Sequence, residues 1–129
     1  MFSHMMVGSN DIDRSKRFYD AIFTATGGTE GRVDPMGRLM YMKDGGMFIV
    51  TPPINGQPAT HGNGSTIGFA VSGPEQAQAW QAAGVAAGGT AIEDPPGVRS
   101  GMGVDLYLAY LRDPDGNKLC ALHQMPADA

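Results

Sequence analysis

The sequence predicts an α+β fold in which two βαβββ modules curl a mixed sheet around a cavity, with the helices outside. Three observations predict it. The order of elements along the chain restarts after its midpoint. The two halves can be laid over each other residue for residue. And a βαβββ unit of this size cannot cover both faces of its own sheet, so a second copy must pack beside it. In the overlay His4 falls on Thr66, Phe18 on Trp80, and Gly27-Gly28-Thr29 on Gly88-Gly89-Thr90 with a one-residue gap. YMKDGG (41–46) falls on YLRDPDG (110–116), with one residue inserted in the turn.

The first half opens with a short strand over 2–8. Ser9, Asn10 and Asp11 offer N-caps, and Asp13 adds negative charge to the first turn of a helix. In that helix Ile12, Ser15, Phe18, Tyr19, Ile22 and Phe23 recur at three- and four-residue spacing, and Gly27-Gly28 stops it. Three strands follow over 28–33, 37–43 and 47–52, separated by the turns DPMG and DGG. A Pro- and Gly-rich stretch over 52–64 without periodicity reads as the linker. Module one is thus about 1–53, the linker about 54–64 and module two about 65–125, all within one domain of 129 residues. The second half repeats the order: a strand over 65–71, a helix over 73–87 with Pro74 in its first turn, and a strand over 88–94. A long loop over 94–105 precedes a hairpin made by 106–113 and 117–123 across DPDG.

Composition excludes several classes of function. Net charge is −4 with Lys and Arg scattered, so no basic patch points to nucleic acid or an anionic membrane. No apolar run approaches the ~20 residues a membrane helix needs, and the first ten residues lack the pattern of a signal peptide. The one cysteine can form no internal disulfide. A cytoplasmic protein is the expectation. Nineteen glycines in the chain, about twice the usual share of ~7%, suit tight turns and sharply bent strands.

Several residues could carry chemistry. His4 alternates with Phe2 and Met6 along the first strand, on the face that the duplication turns inward. A lone histidine in a strand is more often a satisfied core residue; the functional reading makes it a neutral base or hydrogen-bonding group. Cys120 and Leu122 share one side of the last strand, and His123 points to the other. A buried Cys is more often a small hydrophobe than a nucleophile. His61 lies in the linker, where solvated histidines are the commoner case, though loops also supply binding groups. Arg99 sits in the loop before the hairpin, either as a plain surface residue or as a lid residue clamping an anion. Tyr107 and Tyr110 lie on opposite faces of their strand, so at most one lines the cavity, and Tyr107 is assigned there. Asp113, Asp115 and Asn117 begin like a calcium loop, but the later ligands are missing and the segment reads as a turn. The nine methionines suit core and cavity walls that tolerate varied ligands.

His4, the helix entry DIDRSKRFY (11–19) and the terminal hairpin YLRDPDGNK (110–118) together resemble the vicinal-oxygen-chelate superfamily. That superfamily includes glyoxalase I, bleomycin- and fosfomycin-resistance proteins and extradiol dioxygenases, and PPGVR (95–99) resembles a glyoxalase-like branch of it. The resemblance covers nearly the whole chain. It implies four inward positions that hold a divalent metal in some members, which become His4, Val50, Thr66 and Cys120 here. Of these His4 alone matches the usual His or Glu. Val50 cannot ligate, Thr66 is a poor neutral ligand, and Cys120 ligates only as thiolate. His4 and Cys120 make at most a weak metal site, and the cofactor is either a divalent metal or, as the donor count favours, none. The glutathione-holding arginine of glyoxalase I would fall on Gly8, which argues against that substrate.

Two classes of function follow. One is a glyoxalase-like enzyme, of lyase type, acting on a small oxygenated metabolite in the inter-module cavity with His4 as base. The other is a metal-free protein that binds or sequesters a small molecule, as resistance proteins do. In both, Arg99, His61, Tyr107, Cys120, Thr66 and Val50 are the expected ligand-binding positions, and a homodimer is expected because open sheets leave edges to cover.

Overall fold

A computed structural model describes residues 1–101 and 103–127. The first module contains β1 (Met5–Gly8), α1 (Ile12–Thr24), β2 (Arg32–Val33), β3 (Leu39–Lys43) and β4 (Gly46–Thr51), with sheet order β1-β4-β3-β2. The second contains β5 (Ile67–Ala70), α2 (Pro74–Ala86), β6 (Thr90–Ala91), β7 (Gly97–Gly101), β8 (Val104–Arg112) and β9 (Lys118–Gln124), with order β5-β9-β8-β6. In each sheet the module's first strand lies parallel to its last, and the other pairs are antiparallel. The fold is α+β, built from two mixed sheets. None of the helices is long and apolar enough to cross a membrane, among the described residues.

One feature departs from the sequence expectation. The stretch expected to be a long loop contains β7, which pairs with β8 from Gly97↔Leu108 to Gly101↔Val104. β8 has nine residues and β6 covers only Arg112 and Leu111, so most of its edge is free for a second segment. Two unpaired rows of backbone donors and acceptors close on each other there. The expected strands over 2–8, 28–33 and 88–94 are shorter than expected, starting at Met5, Arg32 and Thr90.

Local chemistry explains the elements. Asp11 caps α1 by accepting from Arg14 N at 3.0 Å, and Ser9 Oγ accepts from Asp11 N. Ser15, Phe18, Tyr19, Ile22 and Phe23 form its buried face. α2 buries Ala77, Trp80 and Gly84, and a Cβ built at Gly84 would stand 3.1 Å from Ile22 and 3.2 Å from Phe18 of α1. That small residue lets the helices approach closely. Asp44 and Gly45 take positive φ (51° and 82°) between paired Lys43 and Gly46, the two-residue hairpin turn that suits twisted strands. A single hydrophobic core, drawn from both helices and both sheets, joins the modules.

Two buried phenols give the fold an alkaline limit. Burial, and then the Asp113 carboxylate that accepts from its hydroxyl at 2.6 Å, pushes the Tyr19 phenol well up. Burial and the Asp20 carboxylate do the same to Tyr41. Each phenol holds its proton more tightly folded than unfolded. Stability is therefore full below the ordinary tyrosine value and falls as pH rises past it. Urea midpoints should be flat from neutrality to about pH 9 and drop beyond about pH 10. Tyr19→Phe should flatten that drop; an unchanged alkaline slope would show that other groups set it.

Candidate functional site

Strand alternation sorts the sheet residues into two faces. Val7, Phe48, Val50, Leu39 and Tyr41 in module one face the helices with Phe69, Leu119, Ala121, Tyr107, Ala109 and Leu111 in module two. The register then places Met6, Ile49 and Met40 on the opposite, open face, joined by Met42 and Met47. In module two the open face carries Gly68, Cys120 and Tyr110 in one row, with Ala70, Leu122 and Leu108 in the next.

The two open faces differ in chemistry. Module one presents thioethers: Met42 is 68% exposed and Met6 42%. Between this face and the linker runs a groove of about 750 Å³ lined by Met6, Met36, Arg38, Thr51 and Ile54. Arg38 is held there by Asp34, Nε to Oδ2 at 2.7 Å.

Module two presents polar groups. Tyr110 is the cross-strand partner of Cys120. The Lys118 ammonium stands 5.0 Å from the centre of the Tyr110 ring, a cation–π distance, and pairs with the Glu93 carboxylate. Glu93 has φ 58°, a left-handed conformation that costs a non-glycine residue energy. Burial pushes the Cys120 thiol up, and the Tyr110 hydroxyl draws it partly back. Burial also raises the Tyr110 phenol, helped by the neighbouring Cys120 and Glu93 and opposed by Arg99. At neutral pH the cluster is therefore a neutral thiol and a neutral phenol beside an ion pair. It can donate hydrogen bonds to an oxyanion, but its thiol is a poor nucleophile.

The expected site residues scatter. Cys120 lies on the open face, buried between Gly68 and Tyr110. Thr66 is exposed just before β5, and its parity is that of Gly68. His4 is not a mid-strand core residue. It is exposed ahead of β1, with Nδ1 2.8 Å from Ser3 Oγ, and it continues the alternation of Met6. Val50 is a correction: it is fully buried against the helices, and Ile49 has the open-face parity. Tyr107 is a second correction. It packs beneath α2, its hydroxyl accepting from Gln78 Nε2 at 2.7 Å, and Tyr110 takes the open position. Arg99 is a third. It lies in β7, not in a lid, and its guanidinium donates to the carbonyls of Asp94, Pro95 and Gly97. His61 is exposed beside Gly116 in the β8–β9 turn.

The family-implied metal does not fit this donor set. Among the described residues no three His, Cys, Asp or Glu side chains gather where an ion could be held. The four corresponding positions offer one exposed imidazole, one neutral thiol, one hydroxyl and a buried valine.

Sequence reasoning missed Tyr110, Lys118 and Glu93. A signal for the first existed: partners across the last hairpin are equidistant from Asp115, which sets Tyr110 opposite Cys120. The acidic turn has another role. Asp115 Oδ1 accepts from Asn10 N at 2.9 Å and Arg14 Nη2 at 2.8 Å, and Asn117 Nδ2 donates to Gly8 O at 3.0 Å. DPDGN thus pins the second module's hairpin onto the start of α1.

Fold and site together define a protein of paired βαβββ modules with one open sheet face in each. The sequence pattern of the Glyoxalase/Bleomycin resistance protein/Dioxygenase superfamily matches residues 1–121, and the chain belongs to that superfamily. The crystal structure of a glyoxalase/bleomycin resistance protein from Albidiferax ferrireducens T118 is 59% identical, with a TM-score of 0.92, over 95% of this chain and 98% of that one. A glyoxalase/bleomycin resistance protein/dioxygenase family enzyme from Burkholderia phytofirmans PsJN shares 17% identity over 95% of this chain and 98% of its own, with a TM-score of 0.71. The genomically encoded fosfomycin resistance protein FosX from Listeria monocytogenes shares 14% over 100% and 94%, with a TM-score of 0.64. The last two likenesses show the fold alone. No curated protein matches the chain.

Proposed function

We propose that the chain binds a small oxygenated metabolite against the open face of module two, without a metal. The observation that carries this reading is the row Tyr110–Cys120 with Lys118 above the ring. A carboxylate or enolate oxygen would accept from the Tyr110 hydroxyl and the Lys118 ammonium, while the methionines of module one offer an adaptable apolar wall. Lyase-type proton transfer at the same face is the second reading. The exposed His4 imidazole supports it, as a base at the module one edge, whereas the neutral Cys120 thiol supports sequestration. A cytoplasmic setting belongs to the same proposal, supported by the single cysteine.

Calorimetry with pyruvate, lactate and catechol on untagged protein tests it. Tyr110→Phe and Lys118→Met should each weaken binding of the best of the three roughly 10- to 150-fold, the loss of a hydrogen bond to a charged group. Tight, stoichiometric binding of Ni²⁺ or Zn²⁺ that disappears in His4→Ala would overturn the metal-free reading.

A homodimer is also proposed. Met6, Met42 and Leu122 (42, 68 and 37% exposed) leave apolar surface on the open faces that a second copy would cover. Light scattering on a sizing column should give twice the chain mass of 13.6 kDa. A monomer at high concentration would sink the idea.

A further inference from the structure

A second cavity opens between the modules, lined by the β3–β4 hairpin and β5 with Phe23 and Trp80 from the helices, and has a volume of about 300 Å³. Phe23, Tyr41, Phe48, Phe69 and Trp80 wall it, and Met5 closes one side. The aromatic rings are already arranged edge to face. Phe69 meets Phe23 at 83° and Phe48 at 79°, with centroids 5.4 and 5.3 Å apart. Lys43 and Asp44 lie at the rim, paired with each other at 3.0 Å, so the rim carries no net charge.

Trp80 supplies the observation that points to a ligand. It is 2% exposed, yet its indole N–H donates to none of the described residues. Among the described residues, Arg14 Nε is the side-chain polar atom sealed from solvent without a partner, and the indole N–H does not join it. Trp80 is one of the residues that line the cavity. A buried indole N–H ordinarily finds an acceptor.

We propose that this cavity is a binding site for a small, uncharged aromatic molecule bearing one acceptor, such as an aryl ketone. Its oxygen accepts from Trp80 Nε1, and its ring packs against Phe48 and Phe69. Apolar walls with one placed polar group are the usual design of a small-molecule pocket, and this volume suits one ring or two. The charge-neutral rim selects against anions. Tyr110, Cys120 and Lys118 do not line this cavity, so the site does not depend on that cluster.

The chain has one tryptophan, so ¹⁵N-labelled protein gives one indole cross-peak, and that peak reports on the site alone. Titration with acetophenone should move it saturably. Ethylbenzene, the same shape without the oxygen, should bind more weakly by roughly 2- to 12-fold, one net hydrogen bond. Trp80→Phe, followed by ligand-observed NMR, should bring the two probes level. Should that variant fail to fold, Met47→Phe, a half-buried wall position, should block both probes. Lys118→Met should leave acetophenone binding unchanged, so failure of the open-face reading and failure of this one are distinguishable. An indole peak that acetophenone does not move, equal binding of both probes, or loss of binding in Lys118→Met would each overturn the proposal.

Discussion

Asp113→Ala is expected to destabilise the fold by about 3–5 kcal/mol, more than a single lost hydrogen bond, because it orphans a set of buried donors at once. Asp113 is 4% exposed, and both its oxygens are fully used. Oδ1 accepts from Asp115 N and Asn117 N, each at 2.9 Å. Oδ2 accepts from the Tyr19 hydroxyl at 2.6 Å and from Asn117 Nδ2 at 2.8 Å. The two backbone donors and Asn117 Nδ2 shape the β8–β9 turn, and the Tyr19 hydroxyl ties that turn to α1 of the other module. Alanine removes the acceptor of the buried Tyr19 hydroxyl and Asn117 N–H, while Asn117 Nδ2 keeps Gly8 O and Asp115 N is only part-buried. Asp113→Asn keeps the shape but turns an NH₂ towards donors, and should cost about 1–3 kcal/mol. Tyr19→Phe deletes one donor and should cost about 1–1.5 kcal/mol. In a double-mutant cycle, the Tyr19 deletion should cost much less once Asp113 is gone. Urea unfolding followed by circular dichroism measures all three. A loss below about 1 kcal/mol for Asp113→Ala would mean that the turn resolvates and that the clamp is decorative.

This clamp also explains which parts of the molecule were legible. The motifs D-x-x-x-S-x-x-FY and DPDGN announce the fold because they are two halves of one contact, not because they perform chemistry. Ser15 Oγ donates to Asp115, and Tyr19 to Asp113. The α1 pattern was readable because six apolar or small positions at helical spacing admit one buried face. The paired Gly-Gly-Thr segments marked the duplication because both helices end in the same backbone geometry. The open face was harder. Strand parity has period 2, so a one-residue error moves a side chain to the other side of the sheet. That is why Val50 was expected where Ile49 stands; Tyr107 and Tyr110 were rightly set on opposite faces, and only the choice of which face is open was reversed. The strand that holds Arg99 was hidden for a different reason. A guanidinium in a Pro-Gly segment looks free in sequence, but the carbonyls of Asp94, Pro95 and Gly97 are its own neighbours, and they occupy it. Glu93 and Lys118 gave no local signal, since they meet only through tertiary packing.

The paired glycines yield the other large expected effect. After each helix a glycine in the left-handed region, Gly27 at φ 85° and Gly88 at φ 103°, turns the chain. The next residue then bonds back five positions, Gly28 N to Phe23 O and Gly89 N to Gly84 O, each at 2.8 Å. The copies share this cap but not their surroundings. A Cβ on Gly28 would lie 3.0 Å from Phe23 O and 3.3 Å from Lys43 Cδ, the movable stem of a surface lysine. A Cβ on Gly89 would lie 2.4 Å from Phe18 Cε2, 2.9 Å from Arg112 O and 3.0 Å from Gly84 O. Phe18 is fully buried in the helix-side core, and the two oxygens belong to β8 and α2 themselves. None of the three can retreat without moving a secondary element. Gly89→Ala should therefore cost about 2–3 kcal/mol, as overpacking of a dense core does, and Gly28→Ala under about 1 kcal/mol. Equal losses for the two, measured by urea unfolding, would show that the shared cap and not the packing around Gly89 governs both. A lowered stability in Gly89→Ala that Phe18→Leu partly restores would locate the clash at the ring, because leucine gives up the atom that the new methyl meets.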